Sequence, residues 1–128
     1  MALQKTILAP GALRVPHWYT SGDVLLFVLK GVAYFTLMDD EGKVYHALVR
    51  RGDLISVPEG NFHGFLSVGA EEFEAYELFN QSEGANEISL MNGAQNFSAE
   101  VIQGATGVSK EAADKLKKHA PLGLIEAL

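Results

Sequence analysis

The chain has 128 residues, 48% of them hydrophobic and 20% charged, which predicts one soluble globular domain, 1–128. Its net charge of −6 excludes nucleic acid as an expected partner, because phosphate binding requires a basic surface. The absence of cysteine excludes disulfides, zinc–thiolate sites and a thiol nucleophile. No apolar run approaches the ~20 residues of a membrane span, and residues 1–10 lack a secretory pattern. We therefore expect a cytoplasmic protein that does not bind membranes.

Short apolar runs separated by turn residues fill residues 12–79, a pattern typical of an all-β sandwich or barrel. The predicted strands are 13–19, 24–29, 32–38, 43–49, 54–57, 63–68 and 73–79. The second of these is a short apolar run that fits a buried strand. Asp39–Gly42 is predicted to be a hairpin loop and Arg51–Asp53 a turn, with glycine supplying a positive φ.

The remaining residues differ in composition from the predicted strands. Residues 80–108 are rich in Asn, Ser, Gln and Gly, which predicts a loop. Ser109 is predicted to cap a helix over Lys110–Lys118, whose acidic first turn and basic last turn suit the helix dipole, and Pro121 ends it. The expected organisation is a barrel over about 11–80 and a loop with a helical tail over about 81–128.

Two stretches carry glycine, proline and histidine at regular intervals. The first contains Gly11, His17, Tyr19, Val24 and Gly31, and the second contains Gly52, Pro58, Gly60, His63 and Ser67. In every spacing they resemble the two motifs of the cupin superfamily, which implies a double-stranded β-helix, the cupin jelly-roll barrel. In metal-dependent cupins the first motif supplies two histidines and a glutamate, and the second motif supplies one histidine. Here Tyr19 stands in place of a histidine and Val24 in place of the glutamate.

The chain more narrowly resembles one half of the oxalate decarboxylases and germin-like bicupins. The likeness rests on Gly11–Arg14 with His17–Trp18, and on Phe79, Glu87–Leu90, Glu100–Ile102 and the helix after Ser109. It implies that Arg14 lies in the pocket and contacts a small carboxylate substrate. It also implies a mobile loop with a proton-donating glutamate after the barrel, near which Ser82 and Glu83 fall.

The potential metal ligands are fewer than an octahedral Mn²⁺ or Fe²⁺ site requires. His17 and Tyr19 are two residues apart on a strand and therefore share a face, where His63 could meet them. Val24 removes the carboxylate that the motif would supply. We therefore expect no metal cofactor. If a metal is bound, it would be Mn, Fe, Ni or Zn on His17, Tyr19 and His63.

The predicted ligand pocket combines polar groups with apolar walls. Its binding residues are Arg14, His17, Tyr19 and His63, and its walls are Val24, Phe27 and Phe65. Arg14 has the wrong strand parity relative to His17, but a bulge at Pro16 would turn it inward, where a guanidinium can grip a carboxylate. The other candidates, His46, His119, Trp18, Glu71, Glu72, Glu74 and Glu77, are assigned to structure, packing or solvation.

Four functions remain open, and the sequence does not decide whether the chain is an enzyme. The first is a metal-free or weakly metal-binding barrel that binds a small anionic organic molecule, a carboxylate. The second is a metal-free isomerase with Tyr19 and His63 as acid and base, by fold-level analogy with cupin epimerases. The third is a metal-dependent decarboxylase or oxidase, and the fourth an assembly protein. We also expect a homodimer that covers the apolar segment Leu122–Leu128.

Overall fold

The computed structural model of the chain describes residues 1–81 and 86–118 in full and 125–127 as backbone. Predictions for Ser82, Glu83, His119 and Pro121, and for most of Leu122–Leu128, lie outside the described residues. The strands are β1 Ala2–Leu8, β2 Ala12–Tyr19, β3 Val24–Lys30, β4 Val32–Met38, β5 Val44–Arg50, β6 Leu54–Val57, β7 Phe62–Ser67, β8 Phe73–Phe79, β9 Glu87–Ser89 and β10 Ile125–Ala127. The helices are α1 Leu90–Gln95, α2 Ala99–Thr106 and α3 Lys110–Lys118.

The strands form two antiparallel sheets that face each other across an apolar core. One sheet has the order β1-β8-β3-β6, and the other has the order β10-β2-β7-β4-β5, with β9 also pairing with β2. The core contains, among others, Leu8, Leu26, Val28, Phe35, Phe65 and Phe73. The predicted all-β jelly roll with a short helical tail is confirmed.

Strand β1 was not predicted, because the barrel was expected to begin near residue 11. It pairs with β8 along its whole length, from Ala2 opposite Phe79 to Leu8 opposite Phe73. Only Thr6 and Leu8 on this strand are buried, and the exposed Leu3 and Ile7 obscure the alternation that would have revealed it. The strand matters for function because Thr6 points into the barrel.

Strand β3 is not buried on both faces, so that prediction was wrong. Val24, Leu26 and Val28 point into the core, whereas Leu25 and Phe27 are 41% and 43% exposed. Phe27 has the opposite strand parity from Val24 and therefore cannot form a wall of the pocket. The other two predicted wall residues, Val24 and Phe65, are buried inside the barrel.

The tail contains more helix than predicted. Helix α3 has the predicted bounds, and Ser109 Oγ accepts a hydrogen bond from the Ala112 backbone N–H at 3.1 Å. Helices α1 and α2 were missed, although each has a serine N-cap, Ser89 and Ser98 respectively. No helix among the described residues has the length and apolar character to cross a bilayer.

Two glycines with left-handed backbone provide a matched test of the tight connection between β3 and β4. Gly31 has φ +80°, and a Cβ there would collide with the Glu72 carbonyl oxygen and lie 2.8 Å from Phe73 Cα. Gly42 has φ +82° but open space around it. We expect Gly42→Ala to cost about 1 kcal/mol of unfolding free energy from backbone strain alone. Gly31→Ala should cost at least about 2 kcal/mol more, because β8 must also shift.

Urea denaturation of the two variants beside the unaltered protein measures both losses. Equal losses would contradict the close approach of β8 to Gly31.

Candidate functional site

A bulge in β2 directs Arg14 into the barrel. Arg14 pairs with Phe65 of β7, and the next pair is His17 with His63, so three steps along β2 match two along β7. Arg14 and Val15 are consecutive and both buried, which a regular strand does not allow. Pro16 lies inside this irregularity, where its missing N–H costs no ladder hydrogen bond. The predicted bulge at Pro16 is confirmed.

His17, Tyr19 and His63 meet in the interior of the barrel. All three side chains are at most 2% exposed. The ring centroids of His17 and His63 are 4.3 Å apart, and that of Tyr19 lies 5.1 Å from His17 and 5.3 Å from His63. The predicted convergence of these side chains is therefore observed, and their role in binding stays a prediction.

A carboxyl group that was assigned to solvation lies in the same interior cluster. Glu77 is 1% exposed, and that assignment was wrong. Its Oε1 accepts a hydrogen bond from the Thr6 hydroxyl at 3.1 Å, and its Oε2 lies 3.5 Å from Tyr19 Oη. The sequence contained the signal, because Glu77 shares the strand parity of the apolar residues Phe73, Ala75 and Phe79. The barrel therefore keeps a carboxyl group although Val24 replaces the motif glutamate.

Backbone carbonyl groups fix the tautomers of the two histidines. Nδ1 of His17 lies 2.7 Å from the Val15 carbonyl oxygen, and Nδ1 of His63 lies 2.9 Å from that of Asn61. Each Nδ1 therefore carries the proton, and each Nε2 presents a lone pair to the interior.

The hydroxyl of Tyr19 has one hydrogen and two possible acceptors. Oη lies 3.1 Å from Nε2 of His17, which has no proton of its own and therefore accepts that hydrogen. Oε2 of Glu77 is the second acceptor within reach of this hydroxyl, at 3.5 Å. Glu77, Tyr19 and His17 thus form one hydrogen-bonded cluster.

Burial favours the neutral form of the interior side chains Glu77, Tyr19, His17 and His63. It raises the pKa of Glu77, although the charge of Arg14 and the hydrogen bond from Thr6 oppose the shift. It also raises the pKa of Tyr19, an effect that the negative charge of Glu77 reinforces. Burial lowers the pKa of His17 to about 3, with further lowering by His63 and Arg14, and that of His63 to about 4. At neutral pH both imidazoles are uncharged.

Arg14 is the buried positive charge of the site, and Glu87 on β9 is its counter-ion. The guanidinium is 2% exposed, and its Nη2 lies 3.0 and 3.2 Å from the two carboxylate oxygens of Glu87. Burial lowers the pKa of Arg14, but its hydrogen bond to Glu87 and the charges of Glu77 and Glu87 outweigh that effect and raise the pKa overall. Nη1 of Arg14 is buried and has no hydrogen-bond partner among the described residues. Sequence reasoning placed Glu87 in the resemblance but gave it no role.

The interior groups do not fit the divalent metal site that the fold implies. No three histidine, cysteine, aspartate or glutamate side chains are grouped to hold a metal within the described parts of the chain. Nε2 of His17 already accepts from Tyr19, whose raised pKa disfavours the tyrosinate that a metal would need. The raised pKa of Glu77 disfavours the carboxylate form. Burial thus disfavours the anionic form of both oxygen donors, whereas Mn²⁺ or Fe²⁺ prefers anionic oxygen ligands.

The other sequence candidates have structural surroundings. His46 is exposed, lies 3.1 Å from the Thr36 hydroxyl and stacks on Tyr34, in keeping with its structural assignment. Trp18 packs edge-on against Phe62 with ring centroids 5.8 Å apart. Glu71 and Glu72 are exposed, and Glu74 pairs with Lys5 at 3.4 Å. Ser67, at the end of the second motif, has a buried hydroxyl with no hydrogen-bond partner among the described residues.

Replacing Glu77 tests the protonation state of its carboxyl group. Glu77→Gln keeps an acceptor for Thr6 and a donor for Tyr19, so we expect an unfolding free energy within about 1 kcal/mol of the original at pH 7. Glu77→Leu leaves the Thr6 hydroxyl without its acceptor and Tyr19 with His17 as its remaining partner, and should cost about 1–3 kcal/mol.

The raised pKa of Glu77 also predicts how the free energy of unfolding changes with pH. Glu77 has a folded pKa above its ordinary 4.5, so the native state holds more protons than the unfolded state between these values. Its contribution to stability therefore falls as pH rises above 4.5. Glu77→Gln lacks this loss, and its stability relative to the unaltered protein should increase from pH 4.5 to 8 in urea denaturation. A large destabilisation by Glu77→Gln at pH 7 would indicate that Glu77 is ionised there and would contradict the neutral form that its burial favours.

Comparison with known proteins agrees with this barrel. The 13S globulin basic chain of Fagopyrum esculentum is 31% identical over 121 residues, which cover 91% of this chain and 61% of the globulin. Germin-like protein subfamily 3 member 2 of Arabidopsis thaliana is 26% identical over 113 residues, covering 88% of this chain and 50% of the germin-like protein. The chain therefore spans about half to three fifths of these relatives.

A solved structure of Bacillus subtilis oxalate decarboxylase, an enzyme with Mn(II) centres, matches 98% of this chain and 33% of its own with a TM-score of 0.89. At 21% identity this likeness concerns the fold alone. The sequence model of the family described as Cupin matches residues 1–114. With the motif histidines inside a jelly-roll barrel, this match shows that the chain belongs to the Cupin family.

Proposed function

We propose that this cupin is a metal-free binding protein for a small organic carboxylate, which it holds through Arg14. One observation carries the proposal: a guanidinium buried to 98% has an Nη1 without a hydrogen-bond partner among the described residues. A buried unsatisfied donor costs about 1–3 kcal/mol, and more when charged. A ligand oxygen at Nη1 would recover that free energy.

A carboxylate suits the chemistry around Arg14 better than a neutral ligand. Arginine binds carboxylates through charge-assisted, often bidentate hydrogen bonds. Nε2 of His63 offers a lone pair beside the guanidinium, whose charge helps to lower the pKa of that histidine. This acceptor favours a ligand that has a hydroxyl or N–H group in addition to its carboxylate.

The comparisons support the choice of probes. Oxalate decarboxylase acts on a small dicarboxylate, so oxalate and malonate are the first ligands to test. The decarboxylase reaction is not carried over, because burial disfavours the anionic oxygen ligands that a metal prefers. The likeness to a 13S globulin leaves the alternative of an assembly protein open, and absence of any ligand response would favour it. The homodimer expected from the sequence stays a prediction.

Binding is tested by thermal unfolding with oxalate and malonate. A ligand at 100 times its dissociation constant adds about 2.7 kcal/mol of stability, which raises the Tm of a domain of this size by several degrees. We expect this rise for the unaltered protein and its loss in Arg14→Gln. Arg51→Gln, which removes the same charge from an exposed turn, is the matched control.

Elemental analysis of the same samples separates this function from metal chemistry. We expect metal well below one equivalent. Near-stoichiometric Mn, Fe, Ni or Zn that disappears in His17→Ala/His63→Ala would overturn the metal-free proposal.

A second candidate function, acid–base catalysis, is favoured by the position of Tyr19 between Glu77 and His17. Because its pKa is raised, the hydroxyl of Tyr19 stays protonated at neutral pH and would donate a hydrogen bond to a substrate carbonyl oxygen in place of Nε2 of His17. Nε2 of His63 would accept a proton from the carbon next to that carbonyl.

Deuterium incorporation detects this chemistry without knowledge of the product. Pyruvate, acetoacetate and malonate in D₂O would be followed by NMR with and without protein. Catalysis requires exchange at least tenfold above buffer for one of them, and a loss of about 10²-fold or more in Tyr19→Phe. Tyr34→Phe, at an exposed tyrosine, is the control. Exchange that matches buffer for all three compounds would reject this second candidate.

A further inference from the structure

We propose that the carboxylate of Glu87 occupies the place on Arg14 that a ligand carboxylate takes, and that a ligand binds by displacing Glu87 from the guanidinium. Glu87 is thereby the residue that determines which anions the site accepts. This inference rests on the proposed function, because it concerns the same guanidinium. Three properties of the Arg14–Glu87 pair lead to it.

The pair is incomplete as a salt bridge. Both oxygens of Glu87 contact the single nitrogen Nη2, at 3.0 and 3.2 Å, and Nη1 is left without a partner among the described residues. A two-point pair between arginine and carboxylate uses two nitrogens in parallel. A ligand carboxylate is not attached to a strand and could therefore bind Nη1 as well as Nη2. The guanidinium thus has a hydrogen-bond donor that Glu87 does not use.

Glu87 is also more exposed than the guanidinium. Its side chain is 18% exposed, whereas that of Arg14 is 2% exposed. Glu87 is therefore already in contact with water and can exchange its contact with Arg14 for further hydration. The strand that carries Glu87 has three residues and pairs with β2 only at His17, Trp18 and Tyr19.

Charge balance makes the two anions competitors. Arg14 and Glu87 together are neutral, and both imidazoles of the site are neutral at pH 7. A second anion added to this neutral pair would lose its hydration without gaining a counter-charge. An anion that replaces Glu87 meets the full charge of Arg14, while Glu87 moves towards water.

The test is the affinity for malonate measured by isothermal titration calorimetry. In Glu87→Gln the competing charge is gone while the side chain keeps its size, and we expect at least tenfold tighter binding than in the unaltered protein. Glu74→Gln makes the same change of net charge at a carboxylate paired with Lys5, and should leave the affinity unchanged. Arg14→Gln/Glu87→Gln should lose binding.

The outcomes separate this inference from the proposed function. Equal affinity in the unaltered protein and Glu87→Gln, with loss in Arg14→Gln, would overturn the displacement of Glu87 and retain carboxylate binding. Absence of binding in all variants, including Glu87→Gln, would overturn both.

A measurement on the unaltered protein keeps the inference testable if Glu87→Gln fails to fold. With ¹³C-labelled glutamate, malonate should shift the side-chain carboxylate resonance of Glu87 and leave that of Glu74 in place. A Glu87 resonance that stays unchanged at saturating malonate would also overturn displacement.

Discussion

The burial of the guanidinium of Arg14 is the constraint on which the interior of this barrel depends. An isolated buried charge is costly, so its surroundings must compensate for it or avoid adding to it. Glu87 supplies the opposite charge, at 3.0 Å. His17 and His63 remain uncharged because burial and the nearby positive charge of Arg14 lower both pKa values. The charge of Arg14 is thus balanced by Glu87, and the two imidazoles add no further positive charge.

The position of the interior carboxyl group separates this barrel from a metal site. The motif position for a glutamate is Val24 on β3, opposite Phe79 of β8, while Glu77 lies on β8 opposite Leu26. The interior carboxyl group therefore lies on the strand next to the motif position, where it is hydrogen-bonded to the Thr6 hydroxyl and contacts the phenol of Tyr19. A phenol hydrogen-bonded to an imidazole takes the place of a second metal-binding histidine.

The sequence was sufficient to predict the barrel and about half of the residues that form the site. Motif spacing placed His17 and His63 together, and the missing N–H of Pro16 allowed the bulge that turns Arg14 inward. Strand parity alone could have revealed Glu77, as it also excludes Phe27 from the pocket. Thr6 and Glu87 could not be found in this way. Their positions depend on the pairing of β1 with β8 and of β9 with β2, contacts between residues more than 60 positions apart in the chain.

Compensation of the buried charge also limits what can bind at Arg14. The side chains of Thr6, Glu77, Tyr19 and His17 are hydrogen-bonded to one another or to the backbone, so a ligand at these groups must replace a bond that already exists. The guanidinium differs, because Nη1 has no partner among the described residues and the counter-ion on Nη2 reaches towards solvent. Binding at Arg14 can therefore exchange one carboxylate for another without adding charge to the interior. Because an added buried charge is costly without a counter-charge, an exchange of anions costs less electrostatic free energy than the addition of a further anion.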